Sequence, residues 1–145
     1  MGPDIRTVNL NTETDQLISF VIKNMNHYWT PRIQRIENSI EELIKLSTKE
    51  IDCEIEWSVL GLLRQYYTLK EQDIISKLGA GEYAMQYFSG KWLNMIKEAV
   101  NIRTGQKEIF FHSEEERIKT AIDFSKYIIS YCNNNFNQAK IGERL

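Results

Sequence analysis

Apolar residues recur at intervals of three and four along almost the whole chain, a spacing that predicts helices. Leu17, Ile18, Val21, Ile22 and Met25 form a first amphipathic stripe. Thr30-Pro31 reads as the start of a second helix, because a proline at the first helical position lacks only an N–H that would be unsatisfied anyway. Ile33, Ile36, Ile40, Leu43 and Ile44 continue that stripe. A third helix is predicted from about residue 51 to residue 69, closed by the turn "KEQD". Ser76 opens a fourth, which ends near residues 88–90. Trp92, Leu93, Ile96, Ala99 and Val100 mark a fifth, stopped at Thr104-Gly105. Ser113 with Glu116 has the spacing of a capping box, and Ile118, Ile122, Ile129 and Cys132 follow it in a last helix. The expected fold is all-α, a five- to six-helix bundle with a short extended N-terminal arm. The arm takes residues 1–12, the bundle residues 13–135 and a frayed tail residues 136–145.

Composition narrows the function without naming it. A chain of 145 residues, 42% hydrophobic, is the size of one domain with a real core. A net charge of −2 argues against a nucleic-acid binder or an anionic-membrane binder. Cys53 and Cys132 make neither a disulfide framework nor a metal signature. The N-terminus has no apolar leader and no run approaches the ~18 residues of a membrane span, so a cytoplasmic protein is expected. His27 and His112 lie far apart, with no metal-ligand spacing. The G-x-G of "SKLGAGEYA" lacks the longer dinucleotide fingerprint and a preceding strand. No nucleophile has an evident activating base, so no catalytic residue and no metal ligand is assigned in this chain.

One helix face departs from the ordinary. On the third helix Ile55, Val59, Leu62, Leu63, Tyr66 and Leu69 gather on one side as core. Opposite them stand Glu50, Glu54, Trp57, Gly61, Arg64 and Thr68. A solvated face favours Lys, Glu, Gln or Ala, whereas this one carries a Trp and a Gly. Glycine inside a helix costs ~1 kcal/mol against alanine and points to the close approach of another group. Acids at one end and an arginine at the other give the floor of a ligand groove, although such a stripe also suits a solvated face or a helix contact.

From Trp57 onward, "WSVLGLLRQYYTLKEQDIISKLGAGEYAMQYF" and "KWLNMIKEAVNIRTG" resemble the C-terminal helical domain of AadA-type aminoglycoside (streptomycin/spectinomycin) adenylyltransferases. The opening "GPDIRTV" resembles that family's joint between domains, and "ERIKTAIDFSKYIISY" fits its last helix. The resemblance covers about residues 2–135. It implies transfer of AMP from Mg-ATP to an antibiotic hydroxyl, with ligands lying between two domains. By the same resemblance, Arg64 and Lys77 match cations that contact the ATP phosphates, and Arg103 falls where the family has a Tyr or Arg near the nucleotide. Glu54 and Glu50 match acids that hold the drug's cationic groups. Trp57 stands where some members carry a drug-lining His, and Lys45 near where some carry a Trp; both depart from the pattern.

The family's chemistry needs a Gly-Ser turn and a D-x-D pair to hold magnesium, and this chain contains neither. The 145 residues are therefore expected to be the substrate- and nucleotide-embracing half of the enzyme, inactive alone. A separate N-terminal nucleotidyltransferase domain would hold the metal of Mg-ATP, and an aminoglycoside or aminocyclitol would be the other ligand. Excision, an internal start at Met1 or descent as a standalone protein would each give such a chain. The rival reading is a non-catalytic interaction module that pairs with a separate nucleotidyltransferase domain or with itself as a homodimer. A helical ribonuclease-like toxin is disfavoured, because no histidine follows Arg64 until His112.

Overall fold

A computed structural model describes the backbone of residues 5–106, 108 and 110–137, with side chains from residue 13 onward over the same ranges. Every regular element in it is helical. Helix α1 spans Ile5–Asn24 and passes through a π-helical turn, Met25–Trp29, into α2, Thr30–Asn38. A single turn, α3, covers Ile40–Leu43. The long α4 runs Thr48–Glu71, followed by α5 (Lys77–Ala84), α6 (Gly90–Thr104) and α7 (Glu114–Phe136). Setting aside the single turn, six α-helices form the bundle among the described residues.

Local chemistry fixes the helix ends. Ser47, Ser76 and Ser113 each sit in extended backbone and accept a hydrogen bond from the N–H three residues on, at 3.3, 3.0 and 3.1 Å. The Glu116 carboxylate reaches back past the cap to accept from the His112 N–H at 2.9 Å, so the predicted Ser113–Glu116 box forms with its return bond displaced by one residue. Gly105 ends α6 at φ 78°, the left-handed conformation that the sequence stop at Thr104-Gly105 implies.

Several boundaries differ from the sequence reading: α5 ends at Ala84 rather than near residues 88–90, α4 begins at Thr48 rather than about residue 51, and the second stripe breaks after Asn38. Helical backbone begins at Ile5, within the stretch expected to be an extended arm, while residues 1–4 lie outside the described residues. No Gly or Pro stands between Pro3 and Pro31 to break a helix there. Thr30-Pro31 does not start a helix afresh. The Thr30 N–H donates to the Met25 carbonyl, five residues back, and the Thr30 hydroxyl donates to the same oxygen at 3.2 Å. This wider turn carries the chain past a proline that has no N–H to give. At the other end α7 continues to Phe136, and within its last turns buried Asn133 exchanges amide hydrogen bonds with Asn26 at 2.7 and 2.9 Å. The rest of the expected tail, residues 138–145, lies outside the described residues.

Helix α4 is the axle, packed against α5, α6, α7 and the α1–α2 corner. Its predicted stripe of Ile55, Val59, Leu62, Leu63, Tyr66 and Leu69 is buried throughout, against Met25, Met95, Phe124 and Ile128. A charged tie fastens three helices beside this core. Arg117 of α7 donates to Glu98 of α6 at 2.9 Å, to Glu114 at 2.7 Å and to Asp52 of α4. Arg117 and Glu98 are both buried, with 9% and 8% of their side chains exposed. Gly81 is where α5 closes on its neighbours: a Cβ there would stand 2.5 Å from a methyl of Val100 and 3.1 Å from Leu60.

Candidate functional site

The unusual face of α4 opens on a groove of about 490 Å³. Its floor is α4 itself, at Trp57, Gly61, Arg64, Gln65 and Thr68. One wall comes from α1 and the π turn, with Phe20, Tyr28 and Trp29, and the other from Ile74, Ile75 and Lys77 at the start of α5. The glycine has the cause that its cost implied. A Cβ on Gly61 would lie 2.8 Å from two atoms of the buried Trp29 indole, so only glycine lets the π turn lie flat on α4.

Arg64 and Lys77, thirteen positions apart in sequence, both line the groove. The Arg64 Nε donates to the Ile75 carbonyl at 3.0 Å, which pins the loop that carries Lys77. Among the described residues no other hydrogen bond or ion pair engages that guanidinium. The Lys77 ammonium lies 4.4 Å from the centre of the Trp57 ring, a cation–π contact that fixes a side chain otherwise free to rotate. It also stands 3.7 Å from the Glu56 carboxylate. Three of the residues expected at the site, Trp57, Arg64 and Lys77, are thus brought together with Gly61.

The other three are placed elsewhere. Arg103, on α6, does not line the groove, but its guanidinium lies 3.5 Å from the same Glu56 oxygen. Glu54 shares this face of α4 but does not line the groove, because α2 covers it. There it pairs with Arg32 at 2.6 Å and accepts from the Ser58 hydroxyl at 3.1 Å, while Arg32 also donates to that hydroxyl at 2.9 Å. Glu50 is exposed in the first turn of α4, its carboxylate 3.4 Å from the capping Ser47 hydroxyl. The helical wheel gathers these acids with Trp57, but only the position of α2 shows that Arg32 reaches Glu54 first.

Glu56 was not among the predicted site residues. Nothing local distinguishes it from the other glutamates of α4; its importance lies in cations supplied by α5 and α6. Among the described residues no group of three or more His, Cys, Asp or Glu side chains could hold a metal ion. The Cys132 thiol is buried and pushed up to about 12, which leaves it no nucleophilic character near neutrality. Among the described residues no helix is long and apolar enough to cross a membrane.

The family described as aminoglycoside adenylyltransferase, C-terminal domain, matches residues 30–127. The chain belongs to this family. The aminoglycoside adenylyltransferase domain begins at α2 and ends within α7, so the α1 wall of the groove and the whole π turn precede the matched segment. Only the C-terminal domain of that family is matched in this chain. Comparison with curated proteins and with solved structures returns no match.

Proposed function

We propose that this chain is the nucleotide- and substrate-embracing half of an aminoglycoside O-nucleotidyltransferase, transferring AMP from Mg-ATP to an antibiotic hydroxyl only when a nucleotidyltransferase domain faces it. The presence of Arg64 and Lys77 in the lining of one aromatic groove, with Trp57 and Gly61, carries this reading. A guanidinium can grip phosphate oxygens in a fork, and an ammonium held on an indole face supplies a positioned point charge. Both are suited to stabilise the negative charge that develops on departing pyrophosphate. Arg103 adds a third cation one helix away, oriented through Glu56. By the family's chemistry, the metal of Mg-ATP would be held by the facing domain.

The drug's cationic groups would be drawn to Glu50 and Glu54, the latter shared with Arg32. Trp57 supplies an aromatic wall between the two ligands. Phe20 and Ile74 at the groove's edge are 68% and 76% exposed, an apolar rim suited to being covered by the facing domain. The same rim supports the second reading, a module that pairs with a separately encoded domain or with its own copy. Light scattering over a concentration series distinguishes them: a mass that stays monomeric to high concentration removes the self-pairing form.

The decisive test places these residues in a chain joined to a nucleotidyltransferase domain. Arg64→Ala and Lys77→Ala are expected to lower kcat/KM for Mg-ATP about ten- to a hundredfold, the worth of a hydrogen bond to a charged group. Their circular dichroism should be unaltered, since neither side chain is in the core. Unchanged kinetics would remove the phosphate role. Glu54→Gln is expected to weaken the drug more than the nucleotide, and equal effects on both would reject that role.

A further inference from the structure

Glu56 is a mostly buried carboxylate, 15% exposed, on the axle of the fold. Its Oε1 faces two cations from two other helices, Lys77 Nζ at 3.7 Å and Arg103 Nη1 at 3.5 Å. Yet that oxygen, itself buried, makes no hydrogen bond among the described residues. A structural ion pair of this burial normally closes to hydrogen-bonding distance, because only then does the attraction offset the lost hydration. The Arg117 tie of the same protein does so, at 2.9 Å to Glu98 and 2.7 Å to Glu114. Glu56 instead holds its cations by charge alone, from a distance. Lys77 is further steadied by the Trp57 ring, and Arg103 remains half exposed.

From this we infer that Glu56 is a resident counter-anion, a specificity determinant that an incoming polyphosphate must outcompete for Lys77 and Arg103. The inference rests on the reading of these cations as the phosphate end of the site. An oxyanion approaching Lys77 finds one side of the ammonium facing a carboxylate, and it feels the repulsion of that like charge in a low-dielectric setting. Glu56 therefore gathers the two cations while the site is unliganded and lowers their affinity for any anion. Weakly charged anions are kept from settling there, and only a ligand with several phosphate charges, gripped elsewhere as well, overcomes the barrier.

The test is calorimetric titration of the 145-residue chain with inorganic tripolyphosphate, and in parallel with ATP, at low ionic strength. Glu56→Gln is expected to bind tripolyphosphate about tenfold more tightly than the unmodified chain, and addition of Lys77→Ala should abolish the gain. Glu56→Asp, which keeps the charge but withdraws it, is expected to fall between the two and decides the matter if the glutamine variant does not fold. A side chain with only a structural role would weaken binding when replaced, so equal or weaker binding by both variants overturns the inference and leaves the phosphate reading standing. Absence of binding by every form, the glutamine variant included, overturns the inference, while the phosphate reading stands or falls on the Arg64 and Lys77 kinetics in the two-domain chain.

Discussion

Replacing Arg117 by alanine is expected to destabilise the domain by about 3–5 kcal/mol, the range found when one partner of a buried ion pair is removed. For a domain of this size that is a fall in Tm of roughly 10–15 °C. The reason lies in what remains behind. Glu98 is as buried as the arginine, its Oε2 already lacks a hydrogen bond among the described residues, and Arg117 is the cation that compensates it. Burial holds the Glu98 carboxyl above its ordinary value of 4.5 even with the arginine in place, since desolvation outweighs the attraction. Without Arg117 the upward displacement grows.

A carboxyl whose folded pKa exceeds its unfolded value takes up a proton on folding. Its contribution is therefore kept below the unfolded value of 4.5 and lost as pH rises through the folded value. The stability deficit of the Arg117→Ala variant relative to the unmodified chain is thus expected to shrink as pH is lowered from 7 towards 5. Adding Glu98→Gln to the variant should restore part of the stability at pH 7 and flatten that pH dependence. Chemical denaturation at several pH values measures both. A deficit below about 1 kcal/mol would show that the tie is dispensable, and a large deficit that is the same at every pH would show that Glu98 is not the group left uncompensated.

Gly61→Val is expected to cost about 2–3 kcal/mol, as overpacking of a close-packed contact does. Valine places a Cβ where the buried Trp29 indole leaves only 2.8 Å, then adds two methyl groups. The ring must move, and it cannot move into α4. It is displaced into the groove, so the substitution should abolish ligand binding as well as reduce stability. Trp29 leaves a buried position, so tryptophan fluorescence should shift to longer wavelength. Gly61→Ala is the informative companion. Its helix preference offsets about 1 kcal/mol of the strain, so its stability should fall little while the groove still narrows. Full stability and an unchanged emission spectrum in Gly61→Val would show that the π turn yields without effect.

The two substitutions separate what was readable in the chain from what was not. Gly61 could be singled out beforehand, since a glycine in mid-helix beside a tryptophan has no reason to exist on a solvated face. Arg117 could not. It sits one residue before a core isoleucine in a helix rich in charges, and its three acidic partners come from three separate stretches of sequence. Thr30-Pro31 was legible as an irregularity but not as its kind: the residues suit a helix start, and the π turn became the answer only because Trp29 has Gly61 to lie against.

By itself the sequence determined the helical class, the caps at Ser76 and Ser113, the buried stripe of α4, the likeness to the adenylyltransferase C-terminal domain, and a groove face carrying Trp57 and Arg64. These follow from periodicities and short-range hydrogen bonds, which depend on neighbours three or four residues away. Tertiary structure alone decided how the charges pair. Arg32 takes Glu54 from across the α2–α4 contact, Arg103 is held off the groove, and Glu56 stands between two cations from different helices. A Coulombic pairing is set by distances in space, and residues twenty to fifty positions apart acquire such distances only when the helices pack.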